Sequence, residues 1–187
     1  HSEMYPRELQ PENRLTASVV IYSVLRQEVW QMGDCPFMAD GVLHLNPKPD
    51  EEVLADKRAR VLEKSISEGH TFEYLSIHDL GRQAILNDLR QACSLQNRNF
   101  AVLDGTTPLI KGIQVTDVSH CKELVLASDG YPRLFPNLAE SESYLHHIIE
   151  QDPLCFRLFR ATKGVTDGQN SFDDRTYIRI AIEEKRR

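Results

Sequence analysis

Two short segments of the sequence place aspartates beside predicted β-strands. The segment LVLASDG ends in Ser128-Asp129-Gly130, and SFDDRTYIRI sets Asp173 and Asp174 directly before an alternating run. If the two strands are neighbours in one sheet, Asp129 and Asp173 converge. Two carboxylates within about 4–6 Å disfavour each other's charged form unless a cation compensates, and carboxylate oxygens suit Mg²⁺ or Mn²⁺. By residue type and spacing alone, each segment favours a solvated turn, and a divalent-cation site is the alternative interpretation.

Other residues that could do chemistry have plainer interpretations. Cys35 could be a nucleophile, but no histidine is patterned to activate it, and we expect a small buried side chain. The pair His146-His147 cannot easily share one ion, because neighbours on a helix point about 100° apart. Lys163 could reach a phosphate near Asp173, but as a lysine at the end of a predicted helix it would also complement the helix dipole without any function.

The composition excludes several classes of protein. The chain has 187 residues, of which 41% are hydrophobic and 27% charged, and its net charge is −6. This balance argues against general nucleic-acid binding, which requires a basic surface. No apolar stretch approaches the roughly 18 residues of a membrane helix, and no signal peptide is visible. Four widely spaced cysteines signal neither a zinc site nor a disulfide framework, so we predict a cytoplasmic protein.

The first part of the chain predicts paired β-strands. Leu15–Leu25 is rich in β-branched residues and is followed, after a short turn, by EVWQMGD, which together predict a hairpin. The next segment, PFMADGVLHLN, contains Asp40-Gly41, the strongest hairpin-turn signal in the chain. We therefore predict a β-meander over the first 46 residues.

Helices and further strands follow. We expect helices over Pro49–Gly69 and about His78–Gln96, one that Ser141 caps and a short one ending at Gly164. In the first of them, the basic cluster KRAR (Lys57–Arg60) is placed on a solvated face. We expect strands in FAVLDG, IKGIQVTDV, KELVLASDG and from Tyr177 to Ile182. This order predicts an α+β fold with antiparallel sheets and helices grouped on the outer faces.

The chain is predicted to hold one domain. This domain covers residues 15–187 and follows a polar segment over residues 1–14. Residues 1–3 precede the first methionine, as the remnant of an expression tag would, and are left out of the fold prediction.

Three motifs, in the right order, resemble the metal-dependent type 2C protein Ser/Thr phosphatases. ELVLASDGYPRLF resembles the family's strand that ends in Ser-Asp-Gly. FDDRTYIRI resembles its last core strand, in which Asp-Asn-x-Thr is usual and Asp174 takes the place of the asparagine. TASVVIYSVLRQEVWQMGDCPFMADG resembles its central hairpin, with Gly33-Asp34-Cys35 where Gly-Asp-Ser is usual. The match spans Thr16 to Ile182.

The resemblance implies a type 2C phosphatase-like β-sandwich flanked by helices, with two Mn²⁺ or Mg²⁺ ions at one end. A water between the metals would attack the phosphorus of a phosphoserine or phosphothreonine in a phosphoprotein or phosphopeptide. Carried over residue by residue, Asp129 and Asp173 would be metal ligands. Asp174, Gly130 and Asp34 would lie near the site, Asp34 as a structural residue rather than a ligand. No side chain is assigned a catalytic role.

The resemblance is incomplete at the N-terminus. In the family, an early segment before the central hairpin supplies an arginine for the phosphate, an acidic ligand and an Asp-Gly pair; only about 14 polar residues precede the hairpin here. Asp40-Gly41 does not replace that pair, because it follows Gly33-Asp34-Cys35. We expect a bacterial-type domain, incomplete at the N-terminus and impaired in activity, that pairs with the missing half or forms a homodimer. The alternative is a non-catalytic phosphatase-like binding or regulatory module.

Overall fold

Seven β-strands and four α-helices form the described part of the chain. The computed structural model describes residues 9–105, 112–166 and 168–182, so much of the predicted polar N-terminal segment lies outside it. The strands are β1 (Val19–Ser23), β2 (Glu28–Met32), β3 (Phe37–Ala39), β4 (Val42–His44), β5 (Gln114–Asp117), β6 (Glu123–Ala127) and β7 (Tyr177–Ala181). The helices are α1 (Glu51–Ser67), α2 (Phe72–Ile77), α3 (Leu80–Ser94) and α4 (Leu138–Gln151). Among the described residues, no helix is both long and apolar enough to cross a membrane.

The strands form two antiparallel sheets, which confirms the α+β class. Three strands are ordered β1-β2-β5, and four are ordered β4-β3-β6-β7. Strand β6 lies between β3 and β7, with Ala127 opposite Tyr177. Leu124–Ala127 are all buried, as their uninterrupted apolar run predicts. The strand that ends before Asp129 is therefore the neighbour of the strand that follows Asp173, which is the condition for the two aspartates to converge.

Both predicted hairpins form, but the continuous meander is wrong. Strand β1 pairs with β2, and β3 pairs with β4. Asp40 and Gly41 connect β3 to β4 with positive φ angles of 45° and 82°, as a type I′ turn requires. Strands β2 and β3 lie in different sheets, because β3 pairs with β6 instead of β2. Pro36, which has no backbone N–H to offer a neighbouring strand, stands at the crossing.

One apolar core lies between the two sheets. Val29 of the first sheet and Phe37 and Leu124 of the second are fully buried in the same cluster. Tyr22 of β1 and Ile180 of β7 pack against it. The sheets therefore pack face to face. The other face of the four-stranded sheet is covered by a second cluster, which contains Met38, Val125, Ala127, Tyr131 and Leu134.

Helix α1 forms as predicted, but one member of its basic cluster is not solvated. Arg58 is 0% exposed. It stands four residues from both Leu54 and Leu62, so the helical repeat places it in the buried stripe of α1. The placement of all of Lys57–Arg60 on a solvated face is therefore wrong for Arg58. The guanidinium is tolerated inside because Asp79 and backbone carbonyls accept its hydrogen bonds.

Three helices begin where a side chain caps them, α2 at Thr71, α3 at Asp79 and α4 at Asn137, and the start of α4 differs from the prediction. Asp79 caps α3 by accepting a hydrogen bond from the Arg82 N–H (2.7 Å). Asn137, not Ser141, caps α4, since its side-chain oxygen accepts from the Glu140 N–H (2.9 Å). Ser141 is buried inside the first turn. The short helix α2 was not predicted.

Two predicted elements do not form. After α4, the Asp152 carboxylate accepts the N–H groups of Phe156, Arg157 and Leu158 at 2.9, 2.7 and 2.8 Å. These N–H groups are thereby satisfied by a side chain rather than by helical carbonyls, and a folded loop replaces the helix predicted to end at Gly164. The segment FAVLDG forms only two isolated bridges, one from Leu103 to Ala17 and one from Phe100 to Gln96, instead of a strand.

Candidate functional site

Hydrogen bonds join the end of β6 to the start of β7. The Ser128 N–H donates to the Thr176 carbonyl (3.1 Å), and the Thr176 N–H donates to Ser128 Oγ (2.9 Å). Gly130 lies against the backbone of Asp174: a Cβ at Gly130 would stand 2.4 Å from the Asp174 carbonyl oxygen. Only a residue without a side chain fits there. The Ser-Asp-Gly sequence therefore holds the two acidic segments together.

Asp129 and Asp173 line the same cavity, which has a volume of about 450 Å³. Partial desolvation raises the pKa of Asp129 above its ordinary value, and the negative charges of Asp34 and Asp173 raise it further. Unlike those two aspartates, Asp129 has no salt-bridge partner among the described residues. The structure thus places the two predicted ligands on one cavity. Of the three aspartates, Asp129 is the one whose negative charge is least compensated by a nearby cation.

Asp34 is held in place at the wall of this cavity. Ser18 Oγ donates to its Oδ1 (2.5 Å), and Lys48 Nζ forms a salt bridge with its Oδ2 (2.5 Å). Burial opposes the charged form of Asp34, but the charge and hydrogen bond of Lys48 and the hydroxyl of Ser18 outweigh it, so the pKa is lowered. Because Lys48 already engages this carboxylate, its surroundings suit the structural role predicted for it.

Asp173 is engaged through both carboxylate oxygens. Its Oδ1 accepts the backbone N–H of Asp174 (3.0 Å), and its Oδ2 lies 2.6 Å from Lys163 Nζ. The side chains of Asp173 and Lys163 are 38% and 39% exposed. The contact with the Asp174 N–H orients the Asp173 side chain at the start of β7. Asp174 itself is exposed and contributes this backbone contact rather than a second carboxylate to the 450 Å³ cavity.

Lys48 and Glu51, which the sequence analysis missed, also line the 450 Å³ cavity. Both also line a second cavity of about 430 Å³ that shares Asp129 with the first. Burial raises the pKa of Glu51, Lys48 opposes this, and the charges of Asp34 and Asp129 add to it. Lys48 and Glu51 belong to the segment that opens α1, where acidic residues are ordinary at a helix N-terminus. Their local sequence therefore gives no sign of the site.

The residues of the site fit part of a divalent-metal centre. Asp129 and Asp173 offer hard oxygen donors on one cavity, which is the ligand type that Mg²⁺ and Mn²⁺ prefer. Over residues 9–105, 112–166 and 168–182, no group of three or more His, Cys, Asp and Glu side chains is arranged to hold a metal ion. An ion here would take its other ligands from water or from groups outside these residues.

Cys35 and the histidine pair have the plain roles predicted for them. Cys35 is buried, and its burial, together with the charges of Asp129 and Asp34, raises the pKa of its thiol to about 11. It therefore stays protonated near neutral pH and is a poor nucleophile. His146 and His147 are both exposed on α4.

Asp40 has a structural role at the β3–β4 turn. Its Oδ1 accepts the N–H groups of Lys122 and Glu123, each at 2.9 Å. It lines neither the 450 Å³ cavity nor the 430 Å³ cavity, nor the larger cleft beside Asp173. This agrees with the prediction that Asp40-Gly41 forms a hairpin turn.

A larger open cleft of about 930 Å³ adjoins the site. Lys163 and Asp173 line both this cleft and the 450 Å³ cavity. Glu142 of α4 lies in its wall, where Arg175 donates to both of its carboxylate oxygens at 2.8 Å and Tyr131 donates at 2.6 Å. The cleft thus gives an open approach, lined by polar side chains, to Asp173.

Comparisons with protein-family models, with curated proteins and with solved structures give no significant match for this chain. The function is therefore inferred from the residues of the site and from the three motifs.

Proposed function

We propose that this chain belongs to a metal-dependent phosphatase domain of the type 2C kind, which hydrolyses phosphoserine or phosphothreonine in proteins. The observation that carries the proposal is the meeting of Asp129 and Asp173 at the joined ends of β6 and β7. The two antiparallel sheets around one core are what a type 2C-like β-sandwich requires.

Asp129 and Asp173 are the residues that would hold a divalent cation. A bound Mn²⁺ or Mg²⁺ supplies an acidified water and positive charge beside the phosphoryl oxygens. This chain's own residues orient that centre: Ser128 and Gly130 fix the relation of the two acidic segments, and Asp34 braces the wall through Lys48.

The proposal includes impaired activity for the chain by itself. Two carboxylates leave most coordination positions to water, and Mg²⁺-type sites with few protein ligands bind weakly unless a substrate phosphate or further carboxylates complete them. Pairing with an N-terminal half that supplies more ligands, or with a second copy, remains a prediction. The phosphate-binding arginine of the resemblance has no counterpart assigned to it here.

A specific observation favours a second function, that of a non-catalytic binding module. Two of the three aspartates at the site already carry a lysine partner, Asp34 with Lys48 and Asp173 with Lys163. Lysines in these positions neutralise carboxylates without a metal and could retain a phosphorylated peptide without hydrolysing it. Metal dependence separates this module from the phosphatase.

The test is hydrolysis of p-nitrophenyl phosphate with millimolar Mn²⁺, by this chain and by any longer natural protein that contains it. In the active form, Asp129→Asn and Asp173→Asn should each lower kcat/KM by about 100-fold or more, because each removes a charged ligand. Asp88→Asn is the matched control, since Asp88 pairs with Lys57 at 2.6 Å away from all three cavities. A complete protein that is inactive with Mn²⁺ and Mg²⁺ but retains phosphopeptide would support the binding module instead.

A further inference from the structure

The contact between Lys163 and Asp173 places an ammonium group where the proposed metal would find one of its ligands. Lys163 Nζ lies 2.6 Å from Asp173 Oδ2, while Oδ1 already accepts the Asp174 N–H. An ammonium and a divalent cation repel each other at such short range. The ammonium and the divalent cation cannot both bind Asp173 Oδ2 strongly, so each weakens the binding of the other.

The backbone beside Lys163 is held firmly, but its side chain is not. Arg58 Nη1 donates to the Ala161 carbonyl (2.9 Å), and Arg82 Nη1 donates to the Thr162 carbonyl (2.8 Å). The Lys163 side chain is 39% exposed and makes a salt bridge only with Asp173 among the described residues. A partly exposed pair of this kind is weak, and the four-carbon stem of lysine rotates freely. The ammonium can therefore leave Asp173 without any movement of the loop.

The place to which the ammonium would move is open. Lys163 lines both the 450 Å³ cavity, which holds Asp129 and Asp173, and the 930 Å³ cleft. In this cleft Arg175 is engaged by both oxygens of Glu142. Of the two cations that line this cleft, Lys163 is consequently the one less tied by other contacts, and an ammonium is a suitable point-charge partner for phosphate.

We infer that Lys163 is the phosphate-recognition residue of this site and that it competes with the divalent cation for Asp173. Without metal, Lys163 neutralises Asp173. With metal on Asp129 and Asp173, the ammonium is released and binds the phosphate group of the ligand beside them. The inference rests on the proposed metal site and adds to it the residue that couples metal binding to phosphate binding.

If Lys163 competes with the metal for Asp173, replacing Lys163 should raise the affinity for Mn²⁺ and lower the affinity for phosphate. Lys163→Gln keeps a polar side chain of similar length but removes the charge. We expect it to bind Mn²⁺ about three- to tenfold more tightly than the unaltered chain, because no ammonium opposes the ion. We expect it to bind inorganic phosphate in the presence of Mn²⁺ at least about fivefold more weakly, because the phosphate loses a charged partner.

The measurement is a Mn²⁺ titration followed by the electron paramagnetic resonance signal of free Mn²⁺, with and without inorganic phosphate. Lys163→Arg, which keeps the positive charge, should restore both affinities to within about twofold. Lys57→Gln is the matched control, since Lys57 forms an equally short pair with Asp88 at 2.6 Å on exposed helix surface. It should change neither affinity.

The outcomes separate this inference from the function on which it rests. Suppose that Asp129→Asn abolishes Mn²⁺ binding but Lys163→Gln leaves the Mn²⁺ affinity unchanged or lowers it. That result would overturn the competition between Lys163 and the metal, but it would still support the metal site. Tighter Mn²⁺ binding by Lys163→Gln with unchanged phosphate affinity overturns the phosphate role. If neither the unaltered chain nor Lys163→Gln binds Mn²⁺, the metal site and the inference both fail.

Discussion

Arg58 shows at the scale of one residue how this fold keeps a charge in its interior. It is 0% exposed, and its guanidinium donates to Asp79 Oδ2 (3.0 and 2.7 Å) and to the carbonyls of Leu154, Cys155 and Ala161 (2.7, 3.0 and 2.9 Å). Arg58 therefore ties α1 to the start of α3 and to the loop that carries Lys163.

Replacement of Arg58 should be among the most destabilising single changes in the protein. We expect Arg58→Met to lower the free energy of unfolding by about 3–5 kcal/mol, because it leaves Asp79 and three carbonyls without their donor. Urea unfolding measures the loss. Arg160→Met is the control, since the Arg160–Asp56 pair is 55% and 35% exposed and should contribute at most about 1 kcal/mol. Equal losses in the two variants would contradict this account of Arg58.

The sequence holds a signal for Arg58 that the charge pattern obscures. The cluster KRAR among glutamates is typical of a solvated face. The spacing of four residues to Leu54 and to Leu62 instead places Arg58 within the apolar stripe. The helical repeat is the better guide here, because burial follows position on the helix and a charged side chain can be satisfied by partners far along the chain.

At the scale of elements, Gly130 determines how closely β6 and β7 meet. The added methyl group of Gly130→Ala would stand 2.4 Å from the Asp174 carbonyl oxygen and 2.8 Å from Arg175 Cβ. We expect a loss of about 1–3 kcal/mol in the free energy of unfolding, as for other overpacked sites. We also expect at least about tenfold weaker Mn²⁺ binding, because the two acidic segments separate.

Gly168→Ala provides the contrast for that prediction. Gly168 lines the 930 Å³ cleft, and no atom lies within 4 Å of a Cβ added there. Its φ of 79° makes alanine strained, at a cost of about 1–2 kcal/mol. It should therefore lose stability while keeping Mn²⁺ affinity. Unchanged Mn²⁺ affinity in Gly130→Ala would contradict the claim that this close contact assembles the site.

The elements that the sequence predicts well are those specified by local patterns. The turn at Asp40-Gly41 and the all-buried run Leu124–Ala127 have short-range signatures, and both form as predicted. The helix expected before Gly164 does not form, because Asp152 captures three N–H groups in a side-chain cap. Such caps compete with helices through geometry that composition does not reveal.

For the whole molecule, the least predictable feature of the site is its set of lysines. Asp129 and Asp173 were found through the strand ends they flank, and the neighbouring order of β6 and β7 brings them together. Lys48 and Lys163 reach the same cavity from segments more than a hundred residues apart in sequence. Their meeting at one cavity depends on contacts between distant segments, which leave no local pattern, so the degree of neutralisation at the site could not be read from the sequence.

One ionic cluster ties three parts of the molecule together and should make its stability depend on acid pH. Glu142 of α4 accepts from Arg175, before β7, and from Tyr131, after β6. The hydrogen bonds from Arg175 lower the pKa of Glu142 to about 2, against an ordinary 4.5. Since the folded pKa is the lower one, this contribution to stability is present above pH 4.5 and is lost as the pH falls towards 2.

Glu142→Gln should remove that dependence. We expect the variant to be less stable than the unaltered protein near neutral pH, and the difference to shrink as the pH falls through the interval from 4.5 to about 2. Urea unfolding at a series of pH values measures both. Glu150→Gln, at an exposed position of the same helix, should leave the pH dependence unchanged. A constant difference between Glu142→Gln and the unaltered protein across the interval would contradict the assignment.

The expected pairing with another half or a second copy remains a prediction for the whole molecule. Ile21, Trp30 and Val115 stand in cross-strand register on the three-stranded sheet, and Ile21 and Val115 are 44% and 58% exposed. Exposed apolar residues are ordinary on protein surfaces, so these side chains do not by themselves indicate a partner.

The central claim is that Asp129 and Asp173 together hold a divalent cation, and its most direct test is the affinity of the chain for Mn²⁺. We predict one weak site, whose affinity for Mn²⁺ Asp129→Asn and Asp173→Asn each lower by at least about tenfold, while Asp88→Asn leaves it unchanged. Mn²⁺ binding that survives both substitutions at the site, or the absence of Mn²⁺ binding by the unaltered chain, would contradict the claim.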